Sequence, residues 1–346
     1  MFILFSYWGQ AGLKGQEALA MICANCSRVL WGDPPGSLPT PRRHPSFYSR
    51  YRPASRAGFF VVFCLGIWAS PMHTVAKQDE IQTEPAPSDA FTIVSIAIVA
   101  YIFATMLHEA VGHGGACLLV GGKPLVISTV HMECSVESRL VMAAGTLMNV
   151  AAGALCFALG RITAHPRLRY FLWLSMTLNL FIAAGYFAFS GIGGFGDWAL
   201  FIQGLGPQWV WRIGMAIFGA AAYMLVARFS LLELRPLIGS DRKQRYVRAV
   251  GLTKLPYFAG GILACVAGAL NPQGLLLVVL SAAASTFGGT SGLLWMIDWL
   301  NGDRIPLGSE PEPMPIQRSW PWIATASILA VVFVVVIGPG VRFAGR

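Results

Sequence analysis

The sequence predicts an all-α polytopic membrane protein with six or seven transmembrane helices and a short β-hairpin after the first core helix. Of the 346 residues, 55% are hydrophobic and only 12% are charged, a composition that excludes an ordinary soluble domain. The apolar residues form blocks of about 20, the length that a helix needs to cross roughly 30 Å of hydrocarbon. These blocks lie at residues 91–118, 140–160, 168–192, 207–229, 255–271, 274–300 and 320–341.

The distribution of positive charge predicts the orientation of the chain in a membrane. The formal net charge is +9, and basic residues concentrate in the N-terminal extension, between Arg161 and Arg169, and in segment 228–254. Because cytoplasmic loops carry an excess of Lys and Arg, we expect the last two regions to face the cytoplasm and segment 121–138 to lie on the opposite side. No soluble domain with a basic surface is visible, so no nucleic-acid partner is expected. We predict an integral protein of the lipid bilayer, in the inner (plasma) membrane of a bacterium.

The chain divides into four regions. Residues 1–71 are predicted to be a poorly ordered or signal-like extension, because the 13-residue apolar run Ala57–Ala69 follows several arginines. An alternative is that the natural chain begins at Met72. Residues 72–90 form a polar tail, residues 91–200 a membrane core that carries the polar motifs, and residues 201–346 additional transmembrane helices.

The seven cysteines predict neither a disulfide framework nor a structural zinc site. Cys23 and Cys26 form a CxxC pair with no second pair nearby, whereas a structural zinc site needs four ligands. The others lie mostly in apolar stretches, where cysteine behaves as a small hydrophobic residue. They are Cys64, Cys117, Cys134, Cys156 and Cys265.

The most informative motif is His-Glu-Ala-Val-Gly-His at residues 108–113, inside the apolar stretch Phe91–Val120. Ionisable groups at membrane depth are costly and are usually kept for function. A zinc hydrolase needs neutral imidazole ligands, a third protein ligand, an open position for water and a carboxylate that takes the proton of that water. His108, His113 and Glu109 can supply three of these parts.

The two histidines are five residues apart, whereas the common helical zinc motif HExxH has a spacing of four. Five steps at about 100° per residue separate the two side chains by roughly 140°. A π-type bulge accommodates one extra residue and would return both imidazoles to one face. Because Gly112, Gly114 and Gly115 make this stretch pliable, we predict a bulged zinc-binding helix.

Two alternatives to this interpretation remain. A regular helix would place Glu109, His113 and Cys117 on one face at four-residue intervals, with His108 as the outlier. The histidine and glutamate could also form a buried hydrogen-bonded pair, or line a proton or substrate pathway in a transporter.

Further polar residues lie in apolar stretches downstream. Asn149 follows a run of small residues, where its amide could bind a substrate backbone or join two helices. Asp197 follows a glycine-rich stretch, and irregular backbone at membrane depth lines a cavity. Asp197 is therefore the natural third metal ligand, and its alternative role is a helix N-cap. Asp298 is a second, less favoured intramembrane acid, and His131 and His165 are predicted to be structural or solvated.

Between these motifs, Gly-Gly-Lys-Pro at residues 121–124 precedes the Val- and Ile-containing segment Leu125–Met132. This pattern predicts a short strand or hairpin.

Taken together, the motifs described above resemble the site-2 protease family of intramembrane zinc metalloproteases. The resemblance covers residues 91–200 and comprises the 108–113 motif, the glycine-rich hairpin, the AGxxxN element at Gly145 and Asn149, and the Gly-Asp pair at Gly196 and Asp197.

The resemblance implies a peptidase in which His108, His113 and Asp197 hold zinc, Glu109 activates water and Asn149 helps to position the substrate. The implied partner is a membrane protein or transmembrane peptide, whose extended strand the hairpin could bind by β-addition. Two departures mark a divergent member. The histidine spacing is five rather than four, and Gly196-Asp197-Trp198 stands where the family has Leu before Asp-Gly with a nearby Pro.

Other functions fit the same polar groups. One is a non-catalytic, protease-like membrane scaffold, and another is a transporter that uses the buried His, Glu and Asp groups as a pathway. Transporters tend to show inverted repeats, and no convincing internal duplication is visible. A membrane di-iron oxygenase would need several histidine clusters, which six histidines do not supply. The sequence indicates no particular oligomeric state.

Overall fold

The structure, a computed structural model, describes residues 88–272, 286–300, 313 and 315–343. These residues belong to the unit Glu84–Arg346. The predicted signal-like extension, most of the polar tail and residues 274–285 of the sixth apolar block lie outside the described residues, as do Cys23, Cys26 and Cys64.

Six helices in the described residues are long and apolar enough to cross a membrane, so the predicted helical class is confirmed, and the number of helices that span the membrane stays a prediction. Two further helices are short. In chain order the helices are α1 (Ala90–Leu119), α2 (Arg139–Ile162), α3 (Pro166–Gly193), α4 (Asp197–Phe201), α5 (Gln208–Ile238), α6 (Arg242–Ala269), α7 (Gly292–Trp295) with the 3-10 turn Met296–Leu300, and α8 (Trp320–Val332), which continues as the π-helical turn Phe333–Ile337.

Helix α3 lies at the centre of the core. Its side chains Tyr170, Leu174, Leu178 and Phe181 are fully buried, and the helix packs against α1, α2 and α5. Several polar groups in this core are paired, as buried polar groups usually are. The Trp173 indole, for example, donates a hydrogen bond of 2.9 Å to a main-chain carbonyl of α5.

The outer faces of the helices expose large apolar side chains. Ile217 and Leu225 of α5 are 67% and 68% exposed, and Ile328 of α8 is 65% exposed. Contiguous apolar surface of this kind is rare on soluble monomers. The six helices are therefore compatible with an integral membrane protein.

The apolar block at 274–300 has only short helical turns in its described part, residues 286–300. Leu293, Met296 and Ile297 are nevertheless fully buried among the long helices. Arg245 of α6 donates a hydrogen bond of 2.8 Å to the carbonyl of Leu300. This block is therefore part of the core.

A small antiparallel sheet follows α1, as the sequence predicts, but it contains one strand more than the predicted hairpin. Strands β1 (Pro124–Ile127) and β2 (Met132–Cys134) form the hairpin. The third strand, β3 (Val341–Arg342), comes from the C-terminal end of the chain and pairs with the other side of β1. The strand order is β2-β1-β3, so β1 is paired along both edges.

A disulfide bond joins the hairpin to α1, and the expectation that the chain has no disulfide is wrong. Cys117, one turn after His113, is bonded to Cys134 of β2, and the two residues are 17 positions apart. The hairpin returns the chain to the end of α1, which the apolar surroundings of Cys117 did not reveal. In the described residues Cys156 and Cys265 are free thiols, as expected.

Replacing Cys134 with serine is expected to lower the free energy of unfolding by about 2–4 kcal/mol, because a disulfide that closes a loop of this length restricts the unfolded chain. Denaturant titration in detergent measures the change. The matched control is Cys265→Ser, which removes a free thiol. Equal midpoints for the two variants would contradict a stabilising role for the bond.

Candidate metal centre

The segment Leu107–Gly114 of α1 is π-helical, so the predicted bulge is confirmed. A π-turn holds one more residue than an α-turn, and this places side chains five residues apart on the same face. The rings of His108 and His113 lie with their centroids 4.8 Å apart. Both residues are buried, at 4% and 6% exposure.

The turn between α3 and α4 brings Asp197 to these histidines. Gly194 and Gly196 have φ angles of 72° and 87°, which glycine adopts readily and other residues rarely do. The N-cap of α4 is Gly196, and Asp197 is the first helical residue. The alternative that Asp197 serves as the N-cap is therefore wrong.

Two contacts hold α4 in place beside α2 and α3. The Trp198 indole donates a hydrogen bond of 3.0 Å to the Thr146 hydroxyl of α2, and its ring stacks on Phe187 of α3 with centroids 4.3 Å apart. Because Trp198 follows Asp197 directly, these contacts also fix the carboxylate.

Three ligand atoms converge at one point. Nε2 of His108 lies 3.2 Å from Nε2 of His113 and 3.2 Å from Oδ2 of Asp197. Nε2 of His113 lies 3.3 Å from the same Oδ2, so the three atoms form a triangle. Zinc bonds of about 2.0–2.2 Å with tetrahedral angles separate neighbouring ligand atoms by about 3.3–3.5 Å. The triangle therefore has the dimensions of three corners of a zinc tetrahedron.

The outer nitrogens of both imidazoles face oxygen acceptors. Nδ1 of His113 lies 2.6 Å from the main-chain carbonyl of Val141, and Nδ1 of His108 lies 2.6 Å from Oδ1 of Asn149. Each Nδ1 therefore carries the proton and donates it, so that in a neutral ring Nε2 presents a lone pair. Such outer contacts fix the tautomer of metal-binding histidines. The two Nε2 atoms and Oδ2 of Asp197 therefore direct their lone pairs at one another, and a cation bound between them would accept all three.

The orientation of the Asn149 amide follows from its neighbours. Its Nδ2 donates to the Ala104 carbonyl at 3.3 Å and to Oδ1 of Asn179 at 2.7 Å. Asn179 in turn donates to the Ser175 carbonyl at 2.7 Å. Asn149 is fully buried and holds His108 in place. Its role in positioning substrate stays a prediction.

The electrostatics of Asp197 suit a ligand role. Although burial opposes its ionisation, the two histidines beside it hold the pKa of the Asp197 carboxyl below its usual range. The carboxylate is therefore available as an anionic ligand.

The other candidate ligands lie elsewhere. Cys117 is bonded to Cys134, so the alternative set of Glu109, His113 and Cys117 is excluded. Asp298 is exposed and accepts a hydrogen bond from the Tyr246 hydroxyl at 3.4 Å. Among the described residues, His108, His113 and Asp197 form the one group with the spacing of a metal site.

Glu109 lies beside the cluster and faces a cavity. The residue is buried, at 6% exposure, and its carboxylate makes no hydrogen bond with another described residue. The cavity volume is about 40 Å³, which exceeds the roughly 10–15 Å³ that a cavity needs on this measure to hold one water molecule. Its lining includes His108, Thr129, Tyr186 and Thr286 as well as Glu109.

Two glycines allow α1 and α2 to meet at the site. A β-carbon on Gly112 would lie 2.7 Å from the α-carbon of Gly145. A β-carbon on Gly145 would lie 2.5 Å from Nε2 of His113 and 2.6 Å from Nε2 of His108. The first glycine permits close contact of the two backbones, as small residues do between membrane helices, and the second leaves room for the imidazoles.

The sequence reasoning did not assign roles to Asn179, Tyr186, Trp198 and Thr146. A buried amide in an apolar helix was a usable signal for Asn179, because polar groups at membrane depth need partners. The other three residues are common types in such helices, and only the chain path places them at the site.

Comparisons of the chain with protein-family models, curated proteins and solved structures find no match.

The chemistry that the cluster can perform follows from its donor atoms. Two imidazole nitrogens and one carboxylate oxygen can hold a divalent cation and leave a fourth position for water.

Proposed function

We propose that this protein is an intramembrane zinc-dependent peptidase that hydrolyses peptide bonds of membrane-protein substrates, as a divergent relative of the site-2 proteases. The observation that carries the proposal is the triangle of His108, His113 and Asp197, whose ligand atoms are 3.2–3.3 Å apart, next to the carboxylate of Glu109. Three protein ligands with an open fourth position are typical of catalytic zinc sites, whereas structural sites have four.

Each residue of the site has a part in this reaction. Zinc supplies Lewis-acid polarisation of the scissile carbonyl and of the attacking water. Glu109 accepts a proton as the oxygen of that water bonds to the carbonyl carbon, and passes the proton to the leaving amine when the C–N bond breaks. Asn149 and the Val141 carbonyl keep the two imidazoles in the tautomer that presents Nε2.

The unpartnered carboxylate of Glu109 favours a hydrolase over a metal-binding scaffold. A buried carboxylate without a hydrogen-bond partner is costly, and a purely structural site gains nothing from it. A proton acceptor needs an accessible oxygen, and the cavity beside Glu109 gives it one.

Two independent features support the proposed orientation in the membrane. The disulfide Cys117–Cys134 marks the hairpin end, and disulfides persist in oxidising compartments such as the periplasm. At the other end Arg161 pairs with Glu233 at 3.3 Å, and this end carries the basic residues that the positive-inside rule assigns to the cytoplasm. The hairpin would therefore face outward.

The substrate would be a transmembrane segment in a locally unwound form. A helix hides its carbonyls in internal hydrogen bonds, so a peptide bond must leave the helical conformation before water can attack it. The metal cluster lies closer to the hairpin end of α1 than to its start, so we expect cleavage near the outer end of the substrate span.

Metal analysis of the detergent-purified protein tests the proposal directly. We expect about one zinc per chain, lost on His113→Ala, and cleavage of a pool of synthetic transmembrane peptides that a chelator stops and added zinc restores. The matched control is His165→Ala, since His165 is exposed and remote from the cluster. A protein that holds no zinc, or that retains it in His113→Ala, would rule out this function.

A further inference from the structure

Tyr186 lines the cavity beside the metal cluster, and its hydroxyl has no hydrogen-bond partner among the described residues. Its ring packs on the His108 ring with centroids 4.9 Å apart and planes inclined by 32°. It lines the same cavity as Glu109 and His108. In the described part of the chain its hydroxyl makes no hydrogen bond.

The other tyrosines of the helical core are different. The hydroxyls of Tyr101, Tyr170 and Tyr223 bond to Thr290, to the Leu252 carbonyl and to the Gly289 carbonyl, at 2.8–3.0 Å. A buried tyrosine hydroxyl ordinarily finds such a partner. Tyr186 is half-buried and lines the cavity, and its hydroxyl has no such partner among the described residues, so the hydroxyl can donate a hydrogen bond to a ligand.

The position of Tyr186 is firmly set by its helix. Asn179, which supports Asn149, precedes it by seven residues, and Ile182, which also lines the cavity, precedes it by four. Residues at these intervals share one helix face. The same face of α3 therefore supports the metal ligands and contributes Tyr186 to the cavity lining.

We propose that the Tyr186 hydroxyl donates a hydrogen bond to the carbonyl oxygen of the scissile peptide bond. The inference rests on the proposed peptidase function. Negative charge grows on this oxygen when water adds to the carbonyl carbon, and a fixed donor in a dry site stabilises that charge more than it stabilises the neutral carbonyl. Tyr186 would thus be a catalytic residue, while Asn149 and Asn179 are positioning residues.

The test is Tyr186→Phe, which removes the hydroxyl and keeps the ring on His108. We expect kcat to fall by about 10²-fold, with KM changed by less than about threefold and zinc content unchanged. A second readout is the affinity of the zinc-loaded protein for a phosphinic peptide, whose oxygens stand in for those of the hydrated carbonyl. We expect this affinity to fall by about tenfold or more, while the affinity for a simple thiol, which lacks such an oxygen, stays the same.

Tyr223→Phe is the matched control, because the Tyr223 hydroxyl bonds to the main chain of residues 289 and 292, away from the cavity lining. It should leave kcat unchanged. Wild-type kcat in Tyr186→Phe would overturn the proposal, and so would a loss of zinc, which would show that the hydroxyl acts only through His108. If the wild-type protein holds zinc but cleaves no peptide, the proposed function fails. The phosphinic peptide then decides the hydroxyl contact: weaker binding to Tyr186→Phe alone supports it, and equal binding overturns it.

Discussion

Replacing Glu109 with glutamine is expected to leave zinc bound and to reduce turnover by about 10²–10⁴-fold, the range that a positioned general base contributes. The side chain keeps its size, so the buried site should still pack. The amide cannot take a proton from water, and this is the step assigned to Glu109. The measurements are zinc content and the rate of cleavage of a transmembrane peptide.

The matched control for this variant is Glu133→Gln. Glu133 is an exposed residue of β2, outside the metal cluster, so the same chemical change there should leave the rate as it is. If Glu109→Gln cleaves as fast as the wild-type protein, Glu109 is not the base. If the variant loses its zinc, the carboxylate supports the site rather than the proton transfer.

Replacing Gly145 with alanine is expected to disable the metal site, although Gly145 has no ligand atom. The added β-carbon would lie 2.5–2.6 Å from Nε2 of both histidines, where non-bonded carbon and nitrogen atoms cannot approach. The backbone of α2 cannot retreat alone, because it supports His113 through the Val141 carbonyl. We expect zinc affinity to fall by about 100-fold or more, the upper end of the range for residues around metal ligands, and cleavage to fall with it.

Gly160→Ala in the same helix is the control for this prediction. A β-carbon at Gly160 would lie 3.8 Å from its nearest neighbour, Leu172, which is an ordinary contact, and alanine favours the helix more than glycine does. This variant should bind zinc like the wild-type protein. Titration with a competing chelator measures both affinities, and an unchanged value for Gly145→Ala would contradict the described geometry of the cluster.

Local features of the site could be read from the sequence. The five-residue spacing of His108 and His113 has few helical solutions, and the flexible glycines beside it made a π-turn the natural one. The strand pattern after Gly121 likewise marked the hairpin. In both cases the deciding interactions lie within a few residues along the chain.

Features that depend on the chain path were harder to predict. The place of Asp197 after a glycine-rich stretch predicts a ligand, but its distance from the histidines depends on how α3 and α4 pack. The pairing of Cys117 with Cys134 was missed, because hydrophobic surroundings suit a free thiol as well as a disulfide. The contact of Asn149 with His108 could not be derived either, since a lone amide in a helix has many possible partners.

The third strand of the sheet has a consequence for the biosynthesis of the protein. β3 contains Val341 and Arg342, which the ribosome adds long after β1 and the cluster ligands, yet it completes the edge of β1 close to the metal-binding helix. A nascent chain that already has every cluster ligand still exposes an unpaired β1 edge, and such edges recruit other strands. The sheet around β1 thus reaches its finished form only after the helices between β1 and β3 have been synthesised.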